Sequence, residues 1–258
     1  MGENDEIELR REARRIADRR RRDRLRCPRC GRAVAETVRE AREACLRAGT
    51  WHEADDYVIM CPECKAREDA EEERARRVAL EDRRAALATA VKEPVPHVEG
   101  PLPATIAIGV ETTGLRGWSD HLLTVGIVDG DGAEVASFKI CPPPQCYEWP
   151  EAEEVNGIAP ADTVTWPAIE DVRPELQRIL DAAEVVIGYN VGLDIEFLRA
   201  AGIALPDCDY VDVMAVFAPV FGLRDDYHGG YRWQRLATAA AYVGHDWDAE
   251  GAHDALAD

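Results

Sequence analysis

Three short segments in the second half of the chain carry acidic side chains beside predicted strands and helices. The first, 106–115, contains Glu111, and the second, 189–194, ends in Asp194. The third, 253–258, begins with His253 and ends with Asp258. Carboxylates contributed by three separate elements can converge on hard divalent ions such as Mg²⁺ or Mn²⁺. Residue 109, which strand alternation places on the same face as Glu111, is a glycine without any ligand atom.

This set of residues suits the hydrolysis of a phosphodiester bond. Two divalent ions roughly 3.5–4 Å apart neutralise charge on the phosphate and activate a water molecule. His253 can take the proton from that water, because imidazole titrates near neutral pH. Taken singly, an aspartate near a helix start is more often a cap, so the prediction depends on the combination.

The second half also shows the alternating pattern of an α/β fold. Strands are predicted over 105–108, 122–128 and 134–140, and the Asp-Gly-Asp-Gly turn at 129–132 joins the last two as part of an antiparallel meander. Strands near 184–188 and 210–213 follow, with helices near 167–182, 193–201, 214–221 and 231–243. This order predicts a mixed sheet flanked by helices.

The first half contains two copies of a Cys-Pro-x-Cys motif. Cys27 and Cys30 form the first copy, and Cys61 and Cys64 form the second. Two residues between cysteines allow both thiolates to point at one tetrahedral ion, so the four sulfurs predict a Zn²⁺ site. With four protein ligands this zinc has no open position and is expected to be structural. Helices are predicted over 33–48 and 65–91, with a short strand over 57–60.

Charge and proline content divide the chain further. Residues 1–99 hold 23 basic and 23 acidic side chains, whereas residues 100–258 hold 8 and 27, so the net charge of −19 lies in the second half. An acidic half binds polyanions poorly by itself, and the arginine-rich stretch 10–26 is either a phosphate-contacting arm or a solvated helix. The domains are therefore predicted as 1–91, a helical zinc module with a basic arm, 92–103, a proline-rich linker, and 104–258. Without a secretory signal or an apolar stretch of about 20 residues, we expect a cytoplasmic chain that makes no membrane contact.

Residues 105–258 resemble the DEDDh 3′–5′ exonucleases, the DnaQ-like family of polymerase proofreading subunits, ribonuclease T and oligoribonuclease. Val110-Glu-Thr-Thr-Gly-Leu115 is similar to the family's first motif, Asn190-x-x-x-Asp194 with Ile195-Glu-Phe-Leu198 to the second, and His253-x-x-x-x-Asp258 to the third. The resemblance implies an RNase H-like fold and release of mononucleotides from DNA or RNA 3′ ends.

The resemblance also implies a role for each matching position. The metal ligands for two Mg²⁺ or Mn²⁺ would be Glu111, Asp194 and Asp258, and His253 would be the general base. The terminal nucleotide would be lined by Thr112 and Thr113, with Leu115 and Phe197 against its base and Asn190 supporting the site. A protein partner of the zinc module is a further expectation.

Two departures from the family pattern remain. The family's first aspartate corresponds to Gly109, and three explanations stay open: a deliberately inactivating substitution, a natural copy with reduced or no activity, and a rearranged metal site.

In addition, the family continues with a helix past the third motif, so we expect further sequence beyond Asp258. The main alternative to an exonuclease is a non-catalytic nucleic-acid-binding or adaptor protein.

Overall fold

The computed structural model describes residues 25–36, 40, 43, 60–227, 229–245 and 255. The chain forms two compact units, Met1–Val78 and Ala79–Asp258, which are described separately below. Among the described residues, no helix combines the length and apolar character that crossing a bilayer requires.

The first described helix, α1, runs from Pro62 to Thr89 and confirms the predicted long charged helix. Proline is favoured at the first helical position, where its missing N–H has no partner to lose. The rest of α1 is rich in Ala, Arg and Glu, which are good helix formers. An ion pair four residues apart, Lys65–Asp69 at 2.9 Å, supports its first turns. The predicted helix 33–48 and strand 57–60 lie almost entirely outside the described residues.

Five strands form one sheet in the second unit. They are β1 (Thr105–Thr112), β2 (Leu122–Asp129), β3 (Glu134–Lys139), β4 (Val185–Gly188) and β5 (Asp209–Asp212). The order is β3-β2-β1-β4-β5. β1 and β3 are antiparallel to β2, while β1, β4 and β5 are parallel. The predicted α/β fold with an RNase H-like mixed sheet is thereby confirmed.

The described helices of the second unit that follow β3 flank this sheet. They are α2 (Pro150–Asn156), α3 (Ile169–Ala182), α4 (Val191–Ala200), α5 (Val213–Phe221) and α6 (Leu236–Tyr242), with a 3-10 turn at Asp162–Thr165. Helix α2 was not predicted from the sequence, where residues 141–150 have a high proline content. Pro150 instead opens the helix, and Glu151 and Glu153 follow in its first turn, where acids are favoured. The predicted helix 231–243 begins only at Leu236.

The hydrophobic core lies between the sheet and helices α3 and α4. Strand residues Ile106, Val125 and Phe138 are fully buried there, and Leu176 of α3 and Leu198 of α4 belong to the same cluster. Because Ile106 and Ile108 point into this core, alternation along β1 directs residues 107, 109 and 111 to the opposite face.

The proline-rich segment 92–103 packs against the second unit. The Glu93 N–H donates to Thr165 O at 2.7 Å, the Val98 N–H donates to the Glu175 carboxylate at 2.9 Å, and Arg178 donates to Val98 O at 2.7 Å. The compact unit therefore begins at Ala79, earlier than the predicted boundary at 104. A segment without secondary structure can lie along a domain when its backbone groups find such partners.

Arg83, near the end of α1, is buried in the second unit. Its guanidinium donates to Pro160 O at 2.9 Å, to Thr163 Oγ1 at 3.2 Å and to Pro142 O at 3.3 Å. The same group lies 5.7 Å from the centre of the Trp149 ring. Residues 79–89 of α1 belong to the second unit.

Candidate active site

The predicted site lies where the three parallel strands end. Strands β1, β4 and β5 finish at Thr112, Gly188 and Asp212, and their parallel pairing brings these ends to one edge of the sheet. Open α/β sheets commonly bind ligands outside the carboxyl ends of their strands. Two of the predicted acids, Glu111 and Asp194, belong to this edge.

Asp194 lies in the first turn of α4 and is only 7% exposed. Burial raises the pKa of its carboxyl group to about 7, with a smaller contribution from the charge of Asp212. Hydrogen bonds from the backbone of Asp194 and of Val110 act in the opposite direction and lower this pKa. The contact with Val110 places the Asp194 carboxylate against β1, at the residue that precedes Glu111 in the sequence. A buried acid of this kind favours either a proton or a cation.

Glu111 lies at the end of β1, half-buried, opposite Thr124 of β2. A β-bulge follows directly between Glu111 and Thr112. Bulges re-aim side chains near the ends of strands. The oxygens of Glu111 and Asp194 are hard donors that fit a divalent cation.

Asn190 connects the second and third of these strand ends. It is the N-cap of α4 and adopts a left-handed backbone conformation with φ 65°. Its N–H donates to Asp212 Oδ1 at 3.0 Å, and the same oxygen accepts from the N–H groups of Met214 and Ala215. Asp212 therefore caps α5 and fixes the turn before Asp194.

The two threonines after Glu111 are held by neighbouring backbone groups. Thr113 N–H donates to His121 O at 2.9 Å, and His121 N–H returns a bond of 2.9 Å to Thr113 Oγ1. Asn156 of α2 donates to Thr112 O at 3.1 Å. Burial lowers the pKa of His121, and the negative charge of Asp120 partly offsets this decrease.

A loop, residues 114–121, follows the threonines and carries exposed apolar side chains. Leu115 is 80% exposed and Trp118 is 78% exposed. Asp120 holds the loop by accepting the Arg116 N–H at 2.8 Å, and Glu196 of α4 accepts the Gly117 N–H at 3.0 Å. Leu115 is therefore available to a base on an ordered loop.

Phe197 has a different environment from the one expected. It is 1% exposed and lies in the hydrophobic core. Its ring packs against the other side chains of this core. His253 and Asp258 lie outside the described residues.

Ala255 is the one described residue of the third motif, and it packs against Gly109. A Cβ atom added at Gly109 would lie 2.7 Å from the Ala255 carbonyl oxygen. Both residues line a cavity of about 330 Å³, whose walls also include Gly126, Gly188 and Tyr189. The Ala255 carbonyl group thus occupies the space that a side chain at 109 would need.

The four predicted zinc ligands come together in the first unit. The sulfurs of Cys27, Cys30, Cys61 and Cys64 all lie within 4.8 Å of one another. Cys27, Cys61 and Cys64 are buried, while Cys30 is exposed. The Gly31 N–H donates to Cys27 O at 2.8 Å, with Gly31 at φ 71°, which closes the first knuckle. Four converging sulfurs fit one tetrahedral ion.

The thiols of this cluster have opposite pKa shifts. Burial raises the pKa of Cys27, but backbone hydrogen bonds from Cys61, Cys30 and Arg29 lower it to about 6 overall. The pKa of Cys64 is raised to about 12, first by its hydrogen bond with Cys61 and then by burial. Four adjacent thiolates repel one another, so full ionisation of the cluster requires a cation.

Asp212, Asn156 and Asp120 were not predicted as parts of the site. Each acts through backbone hydrogen bonds at the sheet edge, and only Asp212 had any signal in the sequence. It lies at the junction of a predicted strand and helix, which is the usual position of a cap.

Comparison with known proteins agrees with this description. The family model described as Exonuclease, RNase_T, matches residues 106–258. The chain belongs to this exonuclease family, which confirms the resemblance drawn from its motifs. No curated protein matches the chain.

Among solved structures, the chain is similar to E. coli exonuclease I in complex with a dA16 oligonucleotide. The two chains are 19% identical with a TM-score of 0.49, and the match covers 60% of this chain and 38% of that chain. The zinc-bound form of the E. coli exonuclease I–ssDNA complex gives 19% identity, a TM-score of 0.49 and coverage of 61% and 38%. The chain thus spans about two fifths of the length of these proteins.

Proposed function

We propose that the chain is a DEDDh-type 3′–5′ exonuclease, dependent on Mg²⁺ or Mn²⁺, whose activity is reduced by Gly109. The observation that carries this proposal is the buried carboxylate of Asp194, which accepts a backbone hydrogen bond from Val110, the residue before Glu111, near the carboxyl edge of the sheet. A carboxyl group that is costly to ionise in isolation suits a position where a cation compensates its charge.

Each residue has a defined part in this proposal. Glu111 and Asp194 would hold divalent ions together with Asp258, which follows Ala255 by three positions. Two such ions would neutralise phosphate charge and lower the pKa of the attacking water. His253 would accept the proton of that water. Thr112 and Thr113 would line the terminal nucleotide, and exposed Leu115 would contact its base.

The four-cysteine cluster would hold one structural Zn²⁺. Ion pairs around it, Arg29–Glu71 at 2.6 Å and Arg32–Glu63 at 2.8 Å, connect the first knuckle to α1. The module would then act as a stable surface for nucleic acid or a protein partner.

A second candidate function is a nucleic-acid-binding protein without catalysis. The packing of Ala255 against Gly109 favours it, because the backbone fills the space of the ligand that the family places there. DNA and RNA remain alternative substrates in both cases.

The test is a single-turnover assay with Mn²⁺ and single-stranded DNA or RNA labelled at the 5′ end, where a 3′–5′ exonuclease produces a ladder of shortened products. Glu111→Gln and Asp194→Asn should abolish the ladder. Glu134→Gln, which removes an exposed carboxylate from β3, should leave it unchanged. Products that do not depend on Glu111 and Asp194 would contradict the proposed site, and binding without any product would support the second candidate.

A further inference from the structure

The segment 223–235, called here the arginine–aromatic loop, combines three arginines and three aromatic rings with two aspartates, Asp225 and Asp226, in an otherwise acidic half of the chain. Three of the eight basic residues of 100–258 occur in it. All three are exposed, and they alternate with exposed rings, two of which, Tyr227 and Trp233, are 89% and 69% exposed. The set consists of Arg224, Tyr227, Tyr231, Arg232, Trp233 and Arg235.

The described residues of this loop are held by their own hydrogen bonds. Arg224 and Tyr231 form a β-bridge, and the Arg232 N–H donates to Leu223 O at 2.8 Å, which closes the base of the loop. The Arg224 guanidinium lies 5.1 Å from the centre of the Tyr231 ring, a cation–π contact that orients both side chains. Trp233 follows directly after this closed base.

The loop is joined to the candidate active site through Tyr189. The hydroxyl of Tyr189 donates to Gln234 O at 2.8 Å. Tyr189 follows β4 and directly precedes Asn190, the cap of the helix that carries Asp194. On the other side, α6 begins one residue after Arg235. The base of the loop is therefore attached at the same sheet edge as the carboxylates.

We propose that the arginine–aromatic loop binds single-stranded nucleic acid, with Trp233 as a base-stacking surface and Arg232 as a phosphate contact. This inference rests on the proposed function, since it supplies the substrate strand to that site. Unpaired bases stack on exposed aromatic rings, and arginines compensate backbone phosphates. A duplex hides the faces of its bases, so single strands are the form that this surface fits.

The charge of residues 100–258 also favours nucleic acid as the partner of this loop. Phosphates approaching residues 100–258 meet 27 acidic side chains, so attraction has to come from a few local positions. Arginine and aromatic residues also dominate protein interfaces, but a surface attached beside a nuclease-type carboxylate pair is better matched to a polyanion than to a protein.

The experiment measures affinity by fluorescence anisotropy, using the full chain, a labelled thymidine oligonucleotide of about 20 residues and Ca²⁺ to suppress cleavage. Trp233→Ala should weaken binding about tenfold, whereas Trp233→Phe, which retains a ring, should stay within about threefold of the parent chain. Arg232→Ala should lower the slope of log affinity against log salt by about 0.7. Arg199→Ala, an exposed arginine on α4, is the matched control and should change neither quantity.

The outcomes separate this inference from the proposed function. Equal affinities for the parent chain, Trp233→Ala and Arg232→Ala would overturn it and point to a protein partner, while cleavage dependent on Glu111 would still support the exonuclease. Binding that depends on Trp233, without cleavage under any metal, would support the loop and contradict the hydrolytic function. If Trp233→Ala weakened binding of a duplex of the same length as much as it weakened binding of the single strand, the assignment to single strands would be overturned.

Discussion

Gly109 and Ala255 are in contact so close that position 109 has no room for a side chain. A Cβ atom there would lie 2.7 Å from the Ala255 carbonyl oxygen, a distance at which backbone has to move. A side chain at 109 is therefore possible only if the backbone at Ala255 shifts.

The first prediction concerns this pair. Gly109→Asp should increase Mn²⁺-dependent cleavage by at least tenfold once the Ala255 backbone shifts to admit the side chain. A carboxylate on the Glu111 face of β1 would add a ligand for the proposed ions, and small misplacements of reacting groups can cost about a hundredfold in rate. The measurement is the single-turnover rate on a labelled oligonucleotide.

Gly109→Ala introduces a side chain without a ligand atom, so it tests the steric effect of a substitution at 109 by itself. It should lower the free energy of unfolding by about 1–3 kcal/mol through overpacking against Ala255, without any gain in rate. In the Gly109→Asp background, His253→Ala should remove most of the gain, because it removes the proposed general base. Equal rates for the parent chain and Gly109→Asp would contradict this account of the site.

A second prediction concerns the cysteine cluster. Protein purified without added metal should contain about one zinc per chain by elemental analysis, because the four sulfurs lie within 4.8 Å of one another. Cys61→Ser should reduce the zinc content and the melting temperature together, since metal binding and folding of such modules are coupled. Cys146 lies outside the cluster, so Cys146→Ser should leave the zinc content per chain unchanged.

A third prediction concerns Arg83. Replacing it with alanine should destabilise the second unit by about 2–4 kcal/mol, because buried oxygens of Pro160, Pro142 and Thr163 lose their charged donor. Its neighbour Arg84 is exposed, so Arg84→Ala should have an effect within about 0.5 kcal/mol. Urea unfolding monitored by tryptophan fluorescence provides the comparison, and equal effects of the two variants would contradict the anchoring role.

A fourth prediction uses the pKa of Glu175. The hydrogen bond from Arg178, together with the Val98 N–H and His97, outweighs burial and lowers this pKa from 4.5 to about 2. A depressed carboxyl pKa adds stability above the unfolded value near 4.5, and this stability is lost as the pH falls toward 2. Glu175→Gln should therefore cost roughly 1–2 kcal/mol at pH 7 and progressively less between pH 4.5 and 2. Urea midpoints at pH 7 and pH 3 test this, and an equal loss at both would exclude a charge effect.

The sequence predicted the sheet because its strands and turns follow local patterns of alternation and glycine placement. It predicted Glu111 and Asp194 because a strand end and a helix start fix where those side chains project. The role of Asp212 could not be predicted, since it depends on the register of β5 against β4, where Asp212 pairs with Gly188. Arg83 gave no signal either, because its acceptors lie almost eighty residues away, and an arginine in a charged helix resembles a solvated one.

Helix α4 places two acids with separate tasks two residues apart. Asp194 lies against β1, and Glu196 accepts the N–H of Gly117, whose missing side chain leaves space for the Glu196 stem. The loop that presents Leu115 is thus attached to the same helical turn as Asp194, the proposed metal ligand. Substitutions that widen this loop for a bulkier terminal base would displace Asp194 as well, so substrate range and ion affinity should evolve together in this chain.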